Sequence, residues 1–195
     1  MAIYSRVMYS AIKLVILAVV SICFNATAYA KSPIRSIHGT VTKVSDGDTV
    51  QVTDSLGTKI KVRLYGVDAP ETEKSNKKSG RVSKPGQPFG EEAYQALRSK
   101  IKDKQVRIDA MDIDRYHRVV GLVWLGNRNI NSEMVGEGWA WAYRTYLDRS
   151  YASEFIGLEE KARRSGSGLW QQSNPQPPWE FRRSLKNTRH GSASY

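Results

Sequence analysis

The stretch that decides the fold is Val62-Arg63-Leu64-Tyr65-Gly66-Val67-Asp68-Ala69-Pro70-Glu71-Thr72, which begins as a strand and ends as a loop. Residues 58–65 show the clearest alternation of polar and apolar side chains in the chain, which is typical of a half-buried strand. One predicted face carries Ile60, Val62 and Leu64, and the other carries Lys59, Lys61, Arg63 and Tyr65. Arg63 is therefore predicted to leave the core face and to project toward a site, with Asp68 and Glu71 following it in the loop.

Around this stretch, the pattern predicts five strands and three helices. The strands cover residues 37–44, 49–53, 58–65, 105–110 and 118–125, and turn-forming residues separate several of them. The helices cover residues 89–101, 131–137 and 151–164, where apolar side chains recur at helical spacing. This order fits an α+β class, a five-stranded OB-fold barrel with three helices, which is a common oligonucleotide-binding architecture. A mixed, open α+β sheet is the alternative that these patterns leave open.

The chain is basic, because 30 Lys and Arg against 19 Asp and Glu give a formal net charge of +11 over 195 residues. An excess of this size indicates a polyanionic partner, either a nucleic acid or an anionic surface. A basic protein without a specific partner is the alternative that charge alone does not exclude.

Residues 1–30 have the pattern of a signal peptide. Arg6 and Lys13 are basic, and residues 14–24 form an apolar run that is too short to span a bilayer. Ala28-Tyr29-Ala30 matches a signal-peptidase site, so we expect cleavage after Ala30 and a secreted or periplasmic protein. An uncleaved anchor is the alternative. Cleavage would also remove Cys23, the single cysteine, so the mature chain would form no disulfide.

Two further segments are basic and lack periodicity. A folded domain is expected over residues 31–172, followed by a proline-rich basic tail over residues 173–195 that is extended and ends in disorder. Trp179 could pin this tail to the domain. Residues 73–88 are predicted to form a long mobile loop. That loop either needs no function or helps to gather a phosphate backbone.

A second acidic motif, Asp46-Gly47-Asp48-Thr49, lies upstream of the opening stretch. Carboxylates favour hard cations such as Ca²⁺ and Mg²⁺, whereas the three histidines are scattered without the spacing of zinc ligands. Asp48 and Asp68 are therefore the predicted metal ligands. The carbonyl of Ala69 could complete the set, and Asp46 could act through water. An ordinary Asp-Gly turn is the alternative for Asp46 and Asp48.

Hydrolysis of a phosphodiester requires a polarised water and neutralisation of the charge that develops on the phosphoryl oxygens. Glu71 is placed to polarise the water, on a turn that Pro70 stiffens. Arg63 and Arg118 are the candidates to bind the phosphoryl oxygens, because a planar guanidinium matches phosphate geometry. Taken singly, each arginine could equally be a surface residue.

Three motifs together are similar to the staphylococcal nuclease (thermonuclease) family. They are Asp46-Gly47-Asp48-Thr49, the segment from Arg63 to Thr72, and Asp114-Arg115-Tyr116-His117-Arg118. Their order and spacing match the family, and the similarity runs from about Ile37 to Trp170. The resemblance implies the five-stranded OB barrel with three helices. It also implies calcium-dependent endo- and exonucleolytic cleavage of DNA and RNA that leaves 3′-phosphate ends.

The resemblance also implies roles for individual residues. Calcium would be bound by Asp48, Asp68 and the main-chain carbonyl of Ala69, and the catalytic residues would be Arg63, Glu71 and Arg118. Tyr116 and Tyr143 match tyrosines that line the nucleotide site, and Arg115 lies beside the phosphate. The chain departs from the family at Ala69, where Thr is frequent, at Arg115, a usual lysine, and at His117, a usual glycine. None of these departures removes the chemistry.

The leading hypothesis is an exported hydrolase whose cofactor is Ca²⁺ and whose partners are its DNA and RNA substrates. We expect a monomer with no protein partner and with membrane contact only through its signal peptide. One alternative is an OB-fold nucleic-acid-binding module without catalysis, which the filled catalytic and ligand positions disfavour. Another is an envelope-associated basic protein, which leaves the set of Arg63, Glu71 and Arg118 unexplained.

Overall fold

The structure, a computed structural model, describes residues 31–76 and 78–191. The predicted signal peptide lies outside the described residues. The described strands are β1 (Arg35–Asp46), β2 (Thr49–Thr53), β3 (Lys59–Leu64), β4 (Val67–Asp68), β5 (Lys74–Ser75), β6 (Val82–Lys84), β7 (Gln105–Ile113), β8 (Val119–Leu125), β9 (Arg128–Asn129) and β10 (Trp141–Ala142). The described helices are α1 (Gly90–Ile101), α2 (Ile130–Gly136), α3 (Arg149–Arg164) and α4 (Pro178–Gly191).

Five long strands form a closed barrel. They are hydrogen-bonded in the order β3-β2-β1-β7-β8, and a parallel pairing of β3 with β8 joins the two ends. The neighbouring pairs along this order are antiparallel. All five predicted strands and all three predicted helices are present, so the predicted OB-type α+β barrel is confirmed and the open sheet is excluded. A fourth helix, α4, follows them.

The barrel is filled by branched aliphatic side chains. Val41, Val52 and Val62 are fully buried on three adjacent strands, as the alternation of β3 predicted for Val62. Helix α1 covers the barrel with its buried face, which consists of Gly90, Ala93, Leu97 and Ile101. Burial of this kind contributes about 1.5–3 kcal/mol for each large aliphatic side chain. The core thus fixes the strand that carries Arg63.

The side chain of Asn131, in the first turn of α2, connects elements of the barrel. The cap is Asn129, whose side chain accepts hydrogen bonds from the backbone of residues 131 and 132. Asn131 is fully buried, and its Oδ1 accepts from Val123 N at 2.9 Å. Its Nδ2 donates to Tyr65 O at 2.9 Å and to Gly121 O at 3.1 Å. Asn131 therefore ties β8 to the end of β3 where the barrel closes.

Two segments differ from the sequence analysis. Residues 73–88, predicted to be a loop without regular structure, contain the small hairpin β5–β6, in which Lys74 pairs with Lys84. The segment after residue 177, predicted to be extended and to end in disorder over its last dozen residues, forms α4 up to Gly191. Pro178 opens that helix and Glu180 lies in its first turn, and both are favourable helix-starting residues. Among the described residues, no helix is long and apolar enough to span a membrane.

Candidate active site

Arg63 lies at the centre of the acidic cluster. Its Nη1 donates to Asp48 Oδ2 at 2.7 Å, and its Nη2 donates to Asp68 Oδ1 at 2.8 Å. The register of β2 and β3 places Thr49 opposite Arg63, which brings the preceding Asp48 within reach of the guanidinium. The two acidic motifs therefore meet in space, as the sequence predicted, and one arginine bridges them.

Gly47 lets the first acidic motif approach the second. A Cβ atom at this position would lie 2.7 Å from Ala69 Cβ and 2.8 Å from Ala93 Cβ, which is closer than real Cβ atoms approach. The turn that carries Asp46 and Asp48 thus packs directly against the segment that carries Asp68. A side chain at position 47 would move the two motifs apart.

A short sheet holds Asp68 in place. Strand β4 pairs with β10, with Trp141 opposite Asp68, and Tyr143 N donates to Gly66 O at 2.8 Å. The buried carboxylate of Glu159 on α3 also holds β10, because it accepts a hydrogen bond from Ala142 N at 2.8 Å. The Asp68 side chain is fully buried, so its position is fixed by the backbone of two elements.

Glu71 is held by its main chain and paired through its side chain. Its backbone N donates to Gln87 Oε1 at 3.1 Å. Its carboxylate accepts a hydrogen bond from Lys84, on the β5–β6 hairpin, and another from Arg182 Nη1 on α4 at 2.9 Å. A Cβ on Gly90 would lie 2.2 Å from Glu71 O, so the start of α1 presses against the main chain of this residue.

Arg118 precedes β8 and is oriented by Asp114. Its Nε donates to Asp114 Oδ2 at 2.7 Å, and its backbone N donates to Asp114 Oδ1 at 3.0 Å. The exposed ring of Tyr116 lies against the guanidinium groups of Arg115, at 4.9 Å, and Arg118, at 5.5 Å. His117 adopts a left-handed conformation with φ of 58° in this turn. A glycine would adopt this conformation without strain.

One cleft of about 780 Å³ collects nearly all the predicted site residues. Its lining includes Asp46, Asp48, Arg63, Ala69, Glu71, Arg115, Tyr116, Arg118 and Tyr143. Asp68 lies just beneath, under the guanidinium groups of Arg63 and Arg182. The structure therefore brings together every residue that the sequence analysis singled out, although the role of each remains a prediction.

The carboxylates of the cleft differ in protonation. Burial and the neighbouring Asp48 carboxylate raise the pKa of Asp46 to about 7. Asp48 is also buried, but Arg63 and hydrogen bonds hold its pKa below the ordinary value. Burial raises the pKa of Asp68, although hydrogen bonds from Arg182 act against this shift. Burial and mutual repulsion thus disfavour the charged forms of these carboxylates, whereas the nearby arginines favour them.

The donor set fits a hard cation. Asp48, Asp68 and the Ala69 carbonyl offer oxygen atoms, the ligand type that calcium prefers. Mutual repulsion between Asp46 and Asp48 would fall if a cation bound there. Among the described residues, no group of three or more His, Cys, Asp or Glu side chains is arranged to hold a metal ion. The predicted set needs only two carboxylates and one carbonyl, so it does not require such a group.

The sequence analysis missed Arg182 and Lys84 as residues of the cleft, and it named Trp179 only as a contact between the tail and the domain. Trp179 and Arg182 enter the cleft from α4, and Lys84 enters it from the β5–β6 hairpin. The spacing of Trp179, Arg182 and Lys186 on one helical face was the available signal, but the prolines before them favoured an extended tail. Tyr65, predicted to face away from the core, is buried instead. Strand β3 ends at Leu64, so the alternation no longer applies there.

Comparison with known proteins agrees with this geometry. The chain matches the family model described as "Staphylococcal nuclease homologue" over residues 61–172. It is 37% identical to the micrococcal nuclease of Shigella flexneri over 158 residues, which cover 76% of this chain and 82% of the relative. It is 36% identical to protein ParB of Escherichia coli over 162 residues, which cover 78% and 83%. It is also 36% identical to an uncharacterised endonuclease of Haemophilus influenzae over 146 residues, which cover 75% and 73%. With its closed barrel and its converging acidic and basic motifs, the chain belongs to the staphylococcal nuclease family.

Proposed function

We propose that the protein is a calcium-dependent nuclease that hydrolyses phosphodiester bonds of DNA and RNA. The observation that carries this proposal is the convergence of Arg63, Glu71 and Arg118 on one cleft beside Asp48 and Asp68. Relatives named as a micrococcal nuclease and an endonuclease support the same reaction class. The net charge of +11 suits a polyanionic substrate.

Glu71 is the group that polarises the attacking water. Its side chain is mostly buried, and its main chain is fixed by Gln87 and by the close approach of Gly90. A carboxylate held in this way can accept a proton from water without a large rearrangement. Its contacts with Lys84 and Arg182 must loosen when substrate and water enter.

Arg63 and Arg118 stabilise the charge on the phosphoryl oxygens in the transition state. Arg118 is held by two hydrogen bonds to Asp114 and is only partly exposed. Arg63 is held by two carboxylates from the other side of the cleft. Fixed guanidinium groups need little reorganisation during the reaction, which is the source of their catalytic effect.

Asp48, Asp68 and the Ala69 carbonyl would hold the calcium ion, with Asp46 acting through water. When bound, the ion would supply positive charge beside the scissile phosphate. Tyr143 and the exposed Tyr116 would contact the nucleotide, and Arg115 would lie near its phosphate. By resemblance, we also propose that the products carry 3′-phosphate ends and that the protein acts as an exported monomer.

The test is cleavage of single-stranded DNA by the purified chain, with calcium and with a chelator. We expect cleavage with calcium and none with the chelator. If the products carry 3′-phosphates, their new 5′ ends are hydroxyls, so polynucleotide kinase should label the products without prior phosphatase treatment. Glu71→Gln should lower kcat by about 10²–10⁴-fold. The exposed Glu73→Gln is the matched control and should keep wild-type activity.

Binding of oligonucleotides without cleavage under any divalent ion would refute the proposal and favour a binding module. Cleavage by Glu71→Gln at the wild-type rate would refute the role of Glu71 while leaving the activity intact.

A further inference from the structure

Helix α4 lies against the same cleft that the proposed reaction uses. Trp179 stacks on the ring of Tyr143, with centroids 5.5 Å apart and an interplanar angle of 20°. Its edge also contacts Trp141, at 5.6 Å and 74°. The segment before the helix is fixed by Gln87 Nε2, which donates to Gln176 O at 3.1 Å. The indole of Trp179 therefore covers the tyrosine face on which a nucleobase would stack.

Arg182, three residues further along α4, contacts the carboxylates. Its Nη2 donates to Asp68 Oδ2 at 2.7 Å, and its Nη1 is shared between Asp68 Oδ1 at 3.1 Å and Glu71 Oε1 at 2.9 Å. This forked arrangement is the strongest geometry for an arginine–carboxylate pair. It engages both oxygens of a predicted calcium ligand and one oxygen of the predicted catalytic carboxylate.

The electrostatic consequence is that the cleft is already neutralised by basic side chains. Asp48 and Asp68 pair with Arg63, Asp46 lies 3.6 Å from Lys74, and Glu71 pairs with Lys84. Arg182 adds a further positive charge beside Asp68 and Glu71. A divalent cation that enters while α4 is docked meets a guanidinium on one of its ligands.

Helix α4 is buried less deeply than the helices that cover the barrel. Pro178 is buried, but the described side chains of the helix after it are half-buried or exposed. The helix is far less buried than α1 or α3, which contribute several fully buried side chains to the core. An element whose described side chains are mostly half-buried or exposed can detach while the barrel stays folded.

We propose that α4 is an autoinhibitory element of the nuclease, in which Trp179 takes the place of a nucleobase on Tyr143 and Arg182 takes the place of a cation beside Asp68. This inference rests on the proposed function, because it assigns a means of regulation to the same site. Calcium and nucleic acid then bind fully only to the chain with α4 detached. The apparent association constant of each ligand then equals its intrinsic value multiplied by the fraction of molecules in which α4 is detached.

The docking of α4 also couples the binding of calcium to the binding of nucleic acid. Either ligand displaces the whole helix, so it clears the site of the other. Loss of the Trp179 stack should therefore free the carboxylates, although the indole itself carries no charge. This coupling separates a docked helix from a purely local effect of the Arg182 charge.

The test measures calcium affinity by titration calorimetry, and by terbium luminescence with Tb³⁺ as a calcium probe, on full-length variants without substrate. We expect Arg182→Gln and Trp179→Ala each to tighten calcium binding about fivefold or more, provided α4 is docked in most molecules. Arg164→Gln removes the same charge from an exposed position on α3, outside the residues that line the cleft, and should change the affinity by less than about twofold. Thermal unfolding verifies that each variant is folded.

The second readout is cleavage at a calcium concentration below saturation. We expect Arg182→Gln and Trp179→Ala to cleave faster than the wild type, with the difference shrinking as calcium saturates. Calcium-dependent cleavage by the wild type together with unchanged or weaker calcium binding by both variants would overturn the inference and leave the proposed function standing. If only Arg182→Gln bound calcium more tightly, the effect would be that of a single local charge, and the inference of an autoinhibitory helix would also be overturned. Absence of calcium-dependent cleavage in every variant would instead refute the proposed function.

Discussion

Replacing Asn131 by alanine should destabilise the barrel at the point where it closes. The buried side chain makes three hydrogen bonds, to Val123 N, Tyr65 O and Gly121 O. In the variant, Gly121 O still accepts a hydrogen bond from Tyr65 N at 2.8 Å. The loss of stability therefore comes mainly from Val123 N and Tyr65 O, which lose their partner. A buried polar group without its partner costs about 1–3 kcal/mol, so we expect a loss of about 3–4 kcal/mol. This is a large part of the roughly 5–15 kcal/mol that stabilises a typical domain.

Urea denaturation followed by tryptophan fluorescence measures this loss. With a slope of about 2 kcal/mol per molar urea, the midpoint should fall by about 1.5–2 M. Asn127→Ala, in the exposed turn after β8, is the matched control and should stay within about 0.5 kcal/mol of wild type. A loss below about 1 kcal/mol for Asn131→Ala, or a loss equal to that of the control, would refute the assigned role of this side chain in closure.

Three further predictions concern the cleft and its surroundings. Gly90→Ala places a Cβ 2.2 Å from Glu71 O, so it should displace Glu71 and lower kcat by about 10–100-fold in a cleavage assay. The control is Gly157→Ala on α3, where a Cβ meets no atom within 4 Å. We expect that variant to keep its kcat and to unfold at a higher temperature, because alanine favours the helix. An unchanged kcat for Gly90→Ala would contradict the close approach. His117→Gly should raise the free energy of unfolding by about 0.5–1 kcal/mol in urea denaturation, because glycine relieves the positive φ of 58°, and a destabilised variant would show that the imidazole makes compensating contacts. The raised pKa of Asp46, about 7, means that this carboxylate is protonated below pH 7 and charged above it, so calcium affinity measured by calorimetry should increase as pH rises through 7. Asp46→Asn should flatten this dependence, and an equally steep rise in that variant would assign it to another group.

Local patterns were sufficient to predict the five strands and the placement of Arg63, but they did not separate a barrel from an open sheet. The alternation in β3 depends only on a strand with one buried face, and the structure shows Val62 and Leu64 buried with Arg63 turned to the cleft. The same pattern failed at Tyr65 because the strand stops one residue earlier. An alternation predicts orientation only while the extended backbone continues.

The contacts of α4 could not be predicted in the same way. Arg182 and Asp68 are 114 positions apart, and their pairing depends on the path of the chain after α3. The prolines at 175, 177 and 178 favoured an extended segment, although Pro178 is in fact the first residue of the helix. Lys84 reached Glu71 through a hairpin too short to show periodicity. Long-range pairing of polar side chains leaves little trace in local sequence.

The pairing of Asp46, Asp48, Asp68 and Glu71 with basic side chains has a consequence for the order of folding and metal binding. In small proteins built around a metal ion, unpaired ligands repel one another and the chain stays unfolded until the ion binds. Here Arg63, Lys74 and Lys84 lie against the acidic groups from within the domain itself. These ion pairs offset part of the repulsion and of the burial cost of the acidic groups, so we expect the chain to reach its native state before the proposed calcium ion binds. Under the proposed function, we expect the purified chain to refold without added calcium.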